Sequence, residues 1–164
     1  MGETDHIIKE LIISKKAQFS MIDLYKTLRS WFDLHEYQFY EKEYNEEIKS
    51  NKKNIKIVWT GIREIDEYTR FKINITIDLK NYNILEHKNG KYVHGDLNLK
   101  FSADIETDYE PRWWEDSPFV KFFRSVVNKY VVASKREKLE KEIKDDCHDI
   151  FNRTKTYLNL QKFS

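Results

Sequence analysis

Between Thr69 and Lys80 the chain alternates without a slip. Thr69, Phe71, Ile73, Ile75, Ile77 and Leu79 fall on one side, with Arg70, Lys72, Asn74, Thr76, Asp78 and Lys80 on the other. A period of two is what a strand with one buried and one wet face requires. Past Asn89-Gly90 the pattern resumes. Val93, Leu97, Leu99, Phe101, Ala103, Ile105, Thr107 and Tyr109 share one face, and His94, Asp96, Asn98, Lys100, Ser102, Asp104, Glu106 and Asp108 share a solvated one. Asn and Gly both tolerate positive φ, so Asn89-Gly90 predicts a two-residue type I′ hairpin turn. Ile55, Ile57 and Trp59 begin a preceding strand, with the acidic Glu64–Glu67 stretch as the turn between. Leu11–Ser14 predicts a short strand near the start, a short helix being the alternative for so brief an apolar run.

The helical period appears twice. Ser20 is placed to cap a helix, with Asp23 three residues on and Phe19 and Leu24 at the staple positions. Met21, Leu24, Leu28, Trp31, His35 and Phe39 then recur at three- and four-residue spacing, with Tyr37, Tyr40 and Tyr44 on a neighbouring face. The polar Lys49–Asn54 run ends this element. Pro111 closes the sheet, and Ser117-Pro118 opens a last helix with a cap and a first-turn proline. Its first half carries Phe119, Phe122, Phe123, Val126, Val127 and Tyr130, and its second a narrower stripe of Leu139, Ile143, Cys147, Ile150, Thr154 and Leu158. The expected fold is α+β in a single domain over 1–164. A curved antiparallel meander of three to four long strands packs on an N-terminal helix and a long C-terminal helix.

Residues Pro118 to Leu160 as one helix would span about 65 Å, whereas a compact chain of this size is about 40 Å across. Two solutions stay open: a break near Ser134, or a charged end, 135–164, that projects. A projecting end with its Leu139/Ile143/Cys147/Ile150 stripe would want a partner helix, most simply that of a second copy. The element order is similar to the helix-grip arrangement, which implies a sheet wrapped around the last helix and an apolar cavity between them.

Composition narrows the function classes. The 29 basic and 28 acidic side chains leave a net charge of +1, which argues against a polyanion binder working by bulk charge. Aromatics at 15% with only 4 Gly and 2 Pro mark a folded chain. No apolar run approaches the ~20 residues of a membrane span, and Met1–Asp5 lacks the basic region of a secretory leader. One cysteine, Cys147, permits no internal disulfide and fits a reducing, cytoplasmic setting. No glycine-rich loop leads into a helix, and the lysine pairs Lys15-Lys16 and Lys52-Lys53 lack interleaved aromatics, so nucleic acid is not an expected partner. No motif requires a cofactor.

The densest feature is Tyr109-Glu110-Pro111-Arg112-Trp113-Trp114-Glu115-Asp116-Ser117-Pro118-Phe119. Trp and Arg dominate interface hot spots, which makes Arg112, Trp113 and Trp114 interaction candidates, together with Leu139 and Ile143; closing one end of the core is the structural alternative. The run Trp114-Glu115-Asp116-Ser117-Pro118-Phe119-Val120-Lys121-Phe122, after a strand ending Asp108-Tyr109-Glu110, resembles small uncharacterised archaeal proteins that share a Trp-Glu-x-Ser-Pro-Phe motif. That resemblance implies an archaeal, cytoplasmic setting and no assigned chemistry. With Asn89-Gly90 as the turn, His87 would lie diagonal to His94 with Asp96 on the same face, a weak metal site. Cys147-His148 diverge on a helix and make a poor nucleophile–base pair, and His35 sits on a core stripe. The expected function is therefore a non-enzymatic binding or protein-interaction module. A helix-grip pocket for a small apolar ligand is one alternative. The other is a peripheral membrane protein with Trp113, Trp114, Phe119, Phe122 and Phe123 on one patch.

Overall fold

The computed structural model describes residues 3–107 and 132–161. Five strands, β1 (Glu3–Phe19), β2 (Gln38–Lys49), β3 (Lys52–Glu64), β4 (Thr69–His87) and β5 (Gly90–Thr107), form one antiparallel sheet in the order β1-β5-β4-β3-β2. Helix α1 (Met21–Leu34) joins β1 to β2, and helix α2 (Val132–Gln161) follows. The fold is α+β, as the alternation implied, and the meander of β3, β4 and β5 runs where the pattern placed it. The expected three to four strands become five. β1 is 17 residues long rather than the brief Leu11–Ser14, its alternation broken by register shifts at His6/Ile8 and Ile8/Leu11.

The first helix stops well short of Phe39. Ser20 caps it as expected, its hydroxyl accepting from the Asp23 N–H at 3.2 Å. Its other end is a Schellman motif: Tyr37 N–H donates to Phe32 O at 2.8 Å, Glu36 N–H to Asp33 O at 3.2 Å, and Glu36 takes the left-handed conformation at φ 65°. The Phe32 and Tyr37 rings make the apolar contact across it, centroids 5.8 Å apart. Gln38–Lys49 then forms edge strand β2. A bulge between Glu41 and Glu43 places Glu41 opposite the buried Trp59 but Tyr44, itself exposed, opposite the buried Ile57, which hides the period of two.

Two hairpin turns lie at one end of the sheet. Ser50 and Asn51, at φ 48° and 67°, make the β2–β3 turn in the type I′ manner. The β4–β5 turn is Lys88-Asn89 instead of Asn89-Gly90: His87 pairs with Gly90, and Gly90 supplies the positive φ, 131°, just after the turn. The acidic loop after Glu64 does separate β3 from β4.

Both helices lie on one face of the sheet. Phe71, Ile73, Ile75, Ile77 and Leu79 of β4, Leu97, Leu99 and Phe101 of β5, and Leu24, Leu28 and Phe32 of α1 are fully buried together. The α2 stripe Ile143, Cys147, Ile150, Thr154 and Leu158 is buried in the same core, with Phe151 edge-on to Phe101 at 5.4 Å. Thr154 satisfies its hydroxyl on Ile150 O at 2.8 Å. The described part of the helix thus does not project with a free seam. Its 30 residues span about 45 Å, laid along β1 and β5, whose 17 and 18 residues are longer still. The apolar half from Phe119 to Tyr130 lies outside the described residues. No helix among the described residues is long and apolar enough to cross a membrane.

Candidate functional site between the two helices

The C-terminal end of α1 is fastened to α2 by polar groups no local pattern announces. Trp31 Nε1 donates to Asp149 Oδ2 at 2.7 Å, and the Tyr37 hydroxyl donates to Asp146 Oδ2 at 2.8 Å. From β3, Arg63 donates to Glu142 at 2.8 Å and stands 3.9 Å from Asp146. Burial first, opposed by the Tyr37 bond and by the His35 and Arg63 charges, pushes the Asp146 carboxyl up. Burial, followed by the Asp146 charge, keeps the Tyr37 phenol protonated far above its ordinary range. His35 lies flat on Trp31, ring centroids 3.9 Å apart, with Nδ1 donating to Trp31 O at 2.9 Å. It is a half-exposed stacking group beside Asp149 rather than a core histidine. At the other end of the helix pair the Tyr157 hydroxyl donates to Ser20 O at 3.0 Å.

Held this way, the two helices leave a groove of about 320 Å³ on their outer side, lined by Lys26, Thr27, Ser30, Trp31, Leu34 and Arg153. Lys26 and Arg153 make no ion pair among the described residues, and Leu34 is 73% exposed. The lining therefore offers two positive charges, two hydroxyls and an apolar shelf, and it brings no carboxylate or imidazole to activate a nucleophile. Chemically it can hold an anionic group beside an apolar one. The signal in sequence is the spacing Lys26, Ser30 and Leu34, one residue per turn away from the core stripe. Arg153, distant in sequence, had none.

A second polar cluster crosses four strands on the opposite face of the sheet. The Thr60 hydroxyl donates to Asn74 Oδ1 at 2.8 Å, Asn74 Nδ2 donates to Asp104 Oδ2 at 3.4 Å, and His6 Nδ1 donates to Asp104 Oδ1 at 2.7 Å. Asp104 is consequently buried, a correction to its place on a solvated face. The hydrogen bonds are what allow a carboxylate there.

The other candidates resolve as follows. His87 pairs with Gly90 while His94 pairs with Asn83 and Asp96 with Lys80. The turn begins one residue earlier than Asn89, so His87 and His94 are four positions, about 13 Å, apart along the ladder. They form no metal site with Asp96, and among the described residues no three His, Cys, Asp or Glu side chains gather for a metal. His87 instead meets Tyr92 edge-on at 5.3 Å. Ile143 is fully buried and Leu139 is packed against the core, so this pair faces inward. Arg112, Trp113 and Trp114 lie outside the described residues.

Cys147 is buried with its thiol pushed up to about 12, chiefly by burial and then by the Asp146 and Asp104 charges. A thiol in that state is inert. The native protein is expected to resist Ellman's reagent at neutral pH and to react with one equivalent in denaturant. Rapid reaction of the native protein would mean that α2 is not seated as described.

No family model matches the chain, and no curated protein matches it. Among solved structures, an uncharacterized protein from Rhizobium leguminosarum aligns over 97% of this chain and 98% of that one, at 9% identity and a TM-score of 0.22. A similarity that low carries no argument about fold or function.

Proposed function

We propose that this chain is a non-enzymatic protein-interaction module whose docking surface is the α1–α2 groove, and that its partner is a segment bearing carboxylates beside an apolar side chain. The observation that carries the reading is the pair Lys26 and Arg153, two cations without a described counter-charge, flanking the apolar Trp31–Leu34 floor. Two positive charges at a partly enclosed site favour an anionic guest, and the exposed Leu34 gives such a guest somewhere to bury an aliphatic group. Over the described length of α2 the space between helix and sheet is filled by Ile143, Cys147, Ile150 and Leu158 against the strands, which favours an outer docking surface over an apolar ligand held inside.

The test is a fluorescence anisotropy titration with a labelled Glu/Leu-rich peptide. The wild type is expected to bind at low salt and to weaken as salt rises. Lys26→Glu with Arg153→Glu, both on exposed positions, is expected to lower affinity at least about tenfold with the fold intact. Binding that is absent, or that survives the double reversal unchanged, rejects the reading.

A further inference from the structure

Four of the molecule's ends meet at one end of the sheet. β3 runs away from the Ser50-Asn51 turn and β4 runs back toward the Lys88-Asn89 turn, so both hairpin tips lie on the same side. β1 ends there as well, since Phe19 pairs with Val93 next to the second tip, and α1 begins immediately after it. The C-terminal turns of α2 arrive at the same place, because Tyr157 bonds Ser20 O and Lys15 Nζ donates to Asn159 Oδ1 at 3.2 Å.

This end carries an unusual surface. Ile22 at the start of α1, Ile48 beside the first tip, Ile84 on the flank of the second and Leu160 at the end of α2 are each more than half exposed. They come from four different elements, so no single amphipathic face explains them. The two tips are also basic: Ile48–Asn54 holds Lys49, Lys52 and Lys53 with no acid, and His87–Lys91 holds Lys88 and Lys91 with no acid. Lys49 is engaged by Glu47 at 2.9 Å and Lys91 stands 3.9 Å from Glu86, whereas Lys52, Lys53 and Lys88 have no carboxylate partner among the described residues. Net charge of the whole chain conceals this local excess.

We propose that this end docks on an anionic lipid surface. Protruding tips with isolated aliphatic side chains suit shallow insertion at the boundary of headgroups and acyl chains, while lysine amines sit at the depth of the phosphates. Each lysine near an anionic leaflet strengthens binding about fivefold, and the exposed aliphatics supply the apolar share that electrostatics alone lacks. A nucleic acid would match the lysines but leave Ile48 and Ile84 without use, and a folded acidic partner would need a concave or flat counter-surface where this end offers knobs. The site is distinct from the α1–α2 groove and does not rest on it.

Co-sedimentation with vesicles of mixed phosphatidylserine and phosphatidylcholine tests the proposal, with pure phosphatidylcholine as control. The wild type is expected to pellet with the mixed vesicles, to remain in solution with the neutral ones, and to be released by high salt. Ile48→Ser with Ile84→Ser, and separately Lys52→Glu with Lys53→Glu, change exposed side chains and are expected to keep the wild-type circular dichroism spectrum and Tm. Each double variant is expected to lose vesicle binding at least about tenfold. The proposal is overturned if the wild type does not pellet with anionic vesicles, if both variants pellet as the wild type does, or if the same end binds an acidic polypeptide or a nucleic acid and no vesicle.

Discussion

Ile143→Lys is expected to abolish the folded state, whereas Leu139→Lys, one turn earlier, is expected to cost about 1–2 kcal/mol and leave the protein native. Ile143 is fully buried between α2 and the sheet, in one cluster with Cys147, Ile150 and the β4 and β5 side chains. A lysine there must leave its ammonium unpaired in an apolar site or expel the helix. Either outcome costs more than about 4 kcal/mol, a large fraction of the roughly 5–15 kcal/mol that holds a domain together. Leu139 is only partly buried, so a lysine can run its stem along the core and keep its charge wet. Urea titration followed by circular dichroism separates the two. A cooperative Ile143→Lys transition at the wild-type midpoint would show that the stripe does not seal the core, and would return it to the role of an intermolecular seam.

Gly61→Val is expected to lower Tm by on the order of 10 °C, although valine is the better strand former. Gly61 lies in β3 opposite Ile73, and a Cβ on its backbone would stand 2.2 Å from Phe32 Cε1 and 2.4 Å from Cδ1. Phe32 cannot simply turn aside, for its ring is fully buried among Trp31, Tyr37 and Phe39 at centroid distances of 5.5 to 5.8 Å. Overpacking of this kind costs about 3 kcal/mol, at the upper end of the usual range. The same substitution in a Phe32→Leu background is expected to cost markedly less than in the wild type, and that coupling identifies the clash as the cause. Equal costs in both backgrounds would place the damage elsewhere in the strand.

These two sites also show what a single sequence reveals and what it conceals. The β4 and β5 alternation was legible because each strand keeps one fully buried face, and Ser20 was legible because capping is a local matter. Helix α1 was read too long because its stop is a glutamate, Glu36, in a conformation usually taken by glycine, and because a bulge in β2 disguised the alternation after Phe39. The metal site failed on a register difference of one residue at the turn, enough to separate His87 from His94 along the ladder. Nothing local could join Tyr37 to Asp146 or Trp31 to Asp149, since those bonds span more than a hundred residues of chain. The groove depends on them. Its α1 half carries only the off-stripe spacing of Lys26, Ser30 and Leu34, which any solvated helix face shows and which did not single it out, while its α2 half, Arg153, required knowledge of how the helices lie together.

The most direct test of the docking reading is an amide chemical-shift map of the labelled protein during titration with the Glu/Leu-rich peptide. The expected result is a contiguous set of perturbations over Lys26, Thr27, Ser30, Leu34 and Arg153, lost in the Lys26→Glu/Arg153→Glu protein. Perturbations confined to the opposite face of the sheet, around His6 and Asp104, or no perturbation at all, would contradict it.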